Sequence, residues 1–108
     1  MDIRELQAEI SQVNRDNGWK DTRPSFLESV MLLVTECSEA VEAWREHGFE
    51  DRTARVKAKP EGVGPEFADI LIRLLDSCEI FGIDIEAETR RKLDYNKTRG
   101  YRHGNKRL

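Results

Sequence analysis

Four acidic residues, Glu36 with Glu39 and Glu66 with Asp69, form the grouping in this sequence best placed to do chemistry. Each pair is spaced three residues apart. An α-helix turns about 100° per residue, so the two members of a pair share a face. Two such helices side by side would bring four carboxylates to one point. Glu36 shares its side of the helix with Leu32, Leu33, Ala40 and Ala43. A bare carboxylate against that apolar surface would be costly to bury, and a bound cation would offset the cost. Oxygen-only ligation favours Mg²⁺ or Mn²⁺ over zinc. Four carboxylates are more than one Mg²⁺ requires, which leaves room for two or more ions with a polyphosphate between them.

The same residues also read as a solvated acidic face, which Glu42 and Glu46 would extend. Glu66 and Asp69 fall at the start of a helix, where the macrodipole by itself favours acids. A di-iron bundle is a weaker rival, because it needs Glu-x-x-His on its helices. The two histidines, His47 and His103, are not so placed.

The elements that must position these residues are helices. Ile3, Leu6, Ile10 and Val13 fall at helical spacing from about Asp2 to Asp16, and Asn17-Gly18 ends that run. A linker containing Trp19 leads to Ser25, an N-cap with Glu28 three residues on, the capping-box pattern. This second helix continues to His47, with Gly48 as its C-cap. The polar stretch from Phe49 to Val63 reads as a loop. Pro65 suits the first turn of a third helix that runs to Phe81 and stops at Gly82. Asp84 caps a fourth through about Thr98, and residues 99–108 read as an extended tail. The expected fold is therefore all-α, a four-helix bundle-type single domain spanning residues 1–108.

Composition narrows the class. The chain has 108 residues, 38% hydrophobic and 36% charged, with net charge −3. Residues 90–108 hold eight Lys or Arg against Asp94 alone, which gives +7 and leaves −10 for residues 1–89. An acidic body with a basic end could bind a metal at one pole and an anion beside it. The basic tail carries no helix-turn-helix or zinc-finger pattern, so nucleic acid is not the expected partner. Cys37 and Cys78 read as buried, reduced thiols, and the N-terminus is charged from Asp2 onward; a cytoplasmic location is expected. No apolar run approaches the roughly 20 residues that cross a bilayer. The second and third helices carry apolar residues around much of their circumference, so the core is expected to be completed by homo-oligomerisation, as a homodimer or homotetramer.

The two motifs, Glu36-Cys37-Ser38-Glu39 and Glu66-Phe67-Ala68-Asp69, together resemble the MazG-like all-α nucleotide pyrophosphohydrolases. Phe81-Gly82-Ile83-Asp84 and the segment from Lys92 to Arg99, followed by His103-Gly104-Asn105-Lys106, are also similar to small members of that family. The resemblance covers about residues 25–106. It implies hydrolysis of a nucleoside triphosphate or deoxynucleoside triphosphate between the α and β phosphates, giving monophosphate and pyrophosphate. It also implies that Glu36, Glu39, Glu66 and Asp69 hold Mg²⁺, or Mn²⁺ in its place, and that a metal-associated water attacks. Lys92 and Asn96, four apart on one helix face, would with Arg99 meet phosphate and sugar oxygens.

One position departs from the pattern. Several members carry a glutamate just before the first motif residue, and here Thr35 stands there. The water-activating group is thus left open, and a non-catalytic nucleotide-binding or helical interaction protein on the same scaffold is the alternative. Trp44, two turns beyond Glu36, is a candidate for stacking on the base, although a core or dimer-interface tryptophan is the favoured reading. Trp19 could cover the bundle end or the base.

Overall fold

The computed structural model describes residues 2–18, 24–53 and 59–107, and every regular element of more than one residue in it is an α-helix. Trp19 and residues 54–58 lie outside the described residues. The elements are α1 (Ile3–Asp16), α2 (Phe26–His47), α3 (Val63–Ile80), α4 (Ile85–Lys97) and a four-residue turn, α5 (Arg102–Asn105). Among the described residues, no helix is long and apolar enough to cross a membrane.

Local chemistry sets the helix ends. Asp2 accepts from the Glu5 amide at the start of α1, and Asp84 from the Ala87 amide at the start of α4. At α2 the capping box is complete: the Glu28 amide donates to Ser25 Oγ, and the Ser25 amide donates to Glu28 Oε1, both at 3.2 Å. The end of α3 is a Schellman turn. Gly82 has φ +70°, and the Ile83 amide donates to the Cys78 carbonyl at 2.8 Å.

Two boundaries differ from expectation. α3 starts at Val63, two residues before Pro65, because the first-turn amides of a helix have no carbonyl to reach and proline costs nothing there. The extended tail is interrupted by α5, where the Asn105 amide donates to the Tyr101 carbonyl and the Lys106 amide to that of Arg102, each at 2.8 Å.

α3 is the centre of the packing and lies antiparallel to both α1 and α2. The rings of Phe26, opening α2, and Phe81, closing α3, meet edge-on at 5.5 Å. From α1, buried Gln7 donates to Glu79 at 2.9 Å and to the Ile83 carbonyl at 3.1 Å, so its amide is satisfied. α4 leans on α1, where Arg4 pairs with Asp84 at 2.5 Å. The loop before α3 is clasped: the Arg52 amide donates to the Glu61 carbonyl at 3.0 Å, and the Glu61 amide to Thr53 Oγ1 at 3.3 Å.

Few apolar side chains are fully enclosed. Ile10, Ala40, Leu75 and Cys78 form the buried apolar set. The radius of gyration is 16.8 Å, where a compact domain of this length would have about 13 Å. On α2, Leu27, Val30, Val34, Cys37, Val41 and Trp44 are spaced alternately three and four residues apart, and all are exposed. Cys37 therefore corrects the expectation of a buried thiol: it lies on the side of α2 turned away from α3. Cys78 is buried as expected, and burial pushes its thiol above the ordinary value.

Candidate metal centre

The packing of α2 against α3 joins the two acidic motifs. One carboxylate oxygen each from Glu36, Glu66 and Asp69 lies within 4.8 Å of the others. Glu36 and Glu66 are partly buried, and Asp69 is exposed. Glu39, one turn along α2 from Glu36, is exposed and stands outside this triad, although its charge acts on Glu66.

The electrostatics follow from that crowding. Burial raises the Glu66 carboxyl above its ordinary value, and the charges of Asp69, Glu39, Glu36 and Glu61 raise it further. Asp69 is also raised, first by burial and then by Glu36, against the opposing pull of Arg73 and Lys59. Neither Glu66 nor Asp69 has an ion pair among the described residues. Glu36 does: Arg73 Nε donates to its Oε1 at 2.7 Å, and only 16% of the Glu36 side chain is exposed.

Arg73 was not among the residues that the motifs single out. Its signal in the sequence is its place one turn beyond Asp69, at i, i+4, on the same face of α3. Which residue of α2 it meets is decided by the packing of the two helices.

A groove of about 620 Å³ runs between α1, α2 and α3, with Glu36, Asp69 and Arg73 on its wall. That volume lies within the roughly 300–1,000 Å³ of small-molecule sites. α1 supplies Ser11, Asn14 and Arg15 to the wall, and α2 supplies Ser29 and Leu32. Ser29 Oγ is buried with no hydrogen-bond partner among the described residues. Lys92, Asn96 and Arg99 do not line this groove; they stand on and just beyond α4, which packs chiefly against α1. Trp44 is about half exposed and lies outside the groove, so it is not a core residue of the single chain. The Thr35 hydroxyl is turned back on its own helix, donating toward the Leu32 and Met31 carbonyls at 2.8 and 2.9 Å.

The donor set fits a hard divalent cation. The triad supplies oxygens only, which suits Mg²⁺ or Mn²⁺, and an incomplete protein shell suits Mg²⁺ because that ion keeps water or phosphate among its ligands. Three carboxylates against one guanidinium leave an excess of negative charge that a cation would offset. No family model, curated protein or solved structure matches this chain.

Proposed function

We propose that this chain is a MazG-like, Mg²⁺-dependent pyrophosphohydrolase that cuts nucleoside or deoxynucleoside triphosphates to the monophosphate and pyrophosphate. The observation that carries the reading is the meeting of Glu36, Glu66 and Asp69 from two helices, with Glu36 and Asp69 on the wall of a groove of small-molecule size. Mg²⁺ bound there supplies charge neutralisation and a more acidic water. Glu36, Glu66 and Asp69 hold the ion, with Glu39 as a fourth ligand beside Glu66. The groove receives the nucleotide, and Arg15 and Arg73 on its wall offer donors to an anion. Lys92, Asn96 and Arg99 bind phosphate and sugar oxygens from a neighbouring chain of a homodimer or homotetramer, and Trp44 meets the base or the partner.

Oligomerisation draws support from α2. Its exposed stripe of Leu27, Val30, Val34, Cys37, Val41 and Trp44 has the alternating spacing of a coiled-coil seam. A helix of 22 residues offers a seam about 33 Å long. An exposed free thiol at Cys37 suits a reducing, cytoplasmic setting.

Pyrophosphate release from a panel of ribo- and deoxyribonucleoside triphosphates, with Mg²⁺ and then Mn²⁺, tests the reading. Turnover of at least one is expected. Glu36→Gln should lower it by more than about 100-fold, the upper end of what loss of an outer-shell partner costs, and Glu39→Gln should also remove it without unfolding the chain. No turnover of any member would sink the catalytic claim. The second reading, a non-catalytic nucleotide-binding protein, is favoured by Thr35, whose hydroxyl is occupied by its own helix and supplies no acid or base. Nucleotide binding with Mg²⁺ but no product would select it.

A further inference from the structure

Arg73 sits where a cation and an anion would compete for it. It lies on the groove wall, one turn beyond Asp69, and its Nε grips Glu36 at 2.7 Å. Glu36 is the more enclosed partner, with 16% of its side chain exposed against 41% for Arg73. The guanidinium thus sets a fixed positive charge directly against a partly buried carboxylate. The bond uses one of five N–H donors, and the others have no partner among the described residues.

That arrangement cannot stay unchanged when a divalent cation arrives. Glu36 belongs to the oxygen triad, so a metal there would share a carboxylate with a fixed positive charge one bond away. Two cations on one carboxylate repel. Glu36 has a second oxygen to offer, but the repulsion weakens the hold of Arg73 on it, and the half-exposed Arg73 side chain is free to move. A phosphate brought into the groove offers it a better-matched partner, because a planar guanidinium fits phosphate oxygens in a two-pronged manner.

Resting on the metal-dependent reading above, we propose that Arg73 is a positioning residue that exchanges partners. It holds Glu36 in register while no metal is bound, then passes Glu36 to the metal and takes a nucleotide phosphate. The exchange couples the two ligands. Metal alone binds against the pull of Arg73, whereas metal with nucleotide binds with its help, so each ligand raises the affinity for the other.

This sets two affinities moving in opposite directions, which a purely structural role would not do. Mn²⁺ binding to the full chain without nucleotide is read from the free-ion paramagnetic resonance signal. Binding of an α,β-methylene deoxynucleoside triphosphate in the presence of Mg²⁺ is read by calorimetry. In Arg73→Met, Mn²⁺ should bind about tenfold tighter and the analogue about tenfold weaker, the scale of one charge-assisted hydrogen bond. Arg73→Lys keeps the charge but loses the fork, so Mn²⁺ affinity should stay near that of the unaltered chain while the analogue weakens. This second variant carries the test if Arg73→Met does not fold. Mn²⁺ affinity that falls or stays level in Arg73→Met, or analogue affinity unchanged in both variants, overturns the exchange. If Mn²⁺ binds the unaltered chain and is lost in Asp69→Asn, the metal reading survives such a result. If the unaltered chain binds no Mn²⁺, both readings fall together.

Discussion

Glu36 and Asp69 stand on different helices, yet their carboxylate oxygens lie within 4.8 Å, and the charge of Glu36 helps to raise the Asp69 carboxyl. Like charges held this close oppose folding at neutral pH, and the fold tolerates them because α2 and α3 gain more elsewhere along their contact.

A pH dependence follows. Glu66 and Asp69 both titrate higher in the folded chain than their ordinary values of 4.5 and 3.8. Groups raised by folding contribute stability that is complete below the unfolded value and is withdrawn as pH rises through the folded one. In metal-free buffer, thermal unfolding should therefore show these two groups costing stability as pH climbs above that window. Asp69→Asn should raise the neutral-pH melting temperature and flatten this trend. Added Mg²⁺ should stabilise the unaltered chain at neutral pH and leave Asp69→Asn nearly unmoved. A variant that melts lower than the parent at neutral pH without metal would contradict the repulsion.

The uncovered stripe on α2 predicts association. Sedimentation equilibrium at micromolar concentration should give at least a dimer. Val34→Lys combined with Val41→Lys places two charges in the stripe and should yield a monomer with its helices retained. A monomeric parent would remove the case for a shared core.

Ser29 presents an opposite kind of expectation. Its hydroxyl is buried and has no partner among the described residues, so Ser29→Ala removes a polar atom that gains no hydrogen bond from them. The substitution should leave stability unchanged or raise it by about 1 kcal/mol in urea titration. A clear loss would show that Oγ has a partner in solution.

Leu75 is the most enclosed large side chain, at 1% exposure. Leu75→Ala should cost about 2–5 kcal/mol, a large share of the roughly 5–15 kcal/mol available to a domain. Chemical denaturation should therefore show a greatly lowered midpoint or no folded baseline.

Much of this fold was legible because its signals are local. Ser25 with Glu28, Gly48, Gly82 and Asp84 each act within one turn of a helix end, and each appears there. The acidic motifs were legible for the same reason, since i, i+3 spacing fixes a shared face, although only Glu36, Glu66 and Asp69 of the four carboxylates come together and Glu39 stays outside. What escaped depends on how helices meet. Arg73 is an ordinary helix arginine until the register of α3 on α2 sets it against Glu36. Cys37 looked like core because α2 is apolar on several sides, and the sequence does not say which side α3 covers. The distance of Lys92, Asn96 and Arg99 from the groove likewise reflects where α4 leans, on α1 through Arg4 and Asp84.

The clasp between Arg52 and Glu61 has a consequence for how this scaffold can be rebuilt. Because the two backbone groups are already joined, the entry to α3 is tied to the residues that follow α2. Lengthening a connection closed at its ends in this way costs little, about 0.6 kcal/mol per doubling. The number of residues separating the two acidic motifs is thereby uncoupled from their separation in space. A peptide tag or reporter inserted between Arg52 and Glu61 would leave α2, α3 and the triad between them in step.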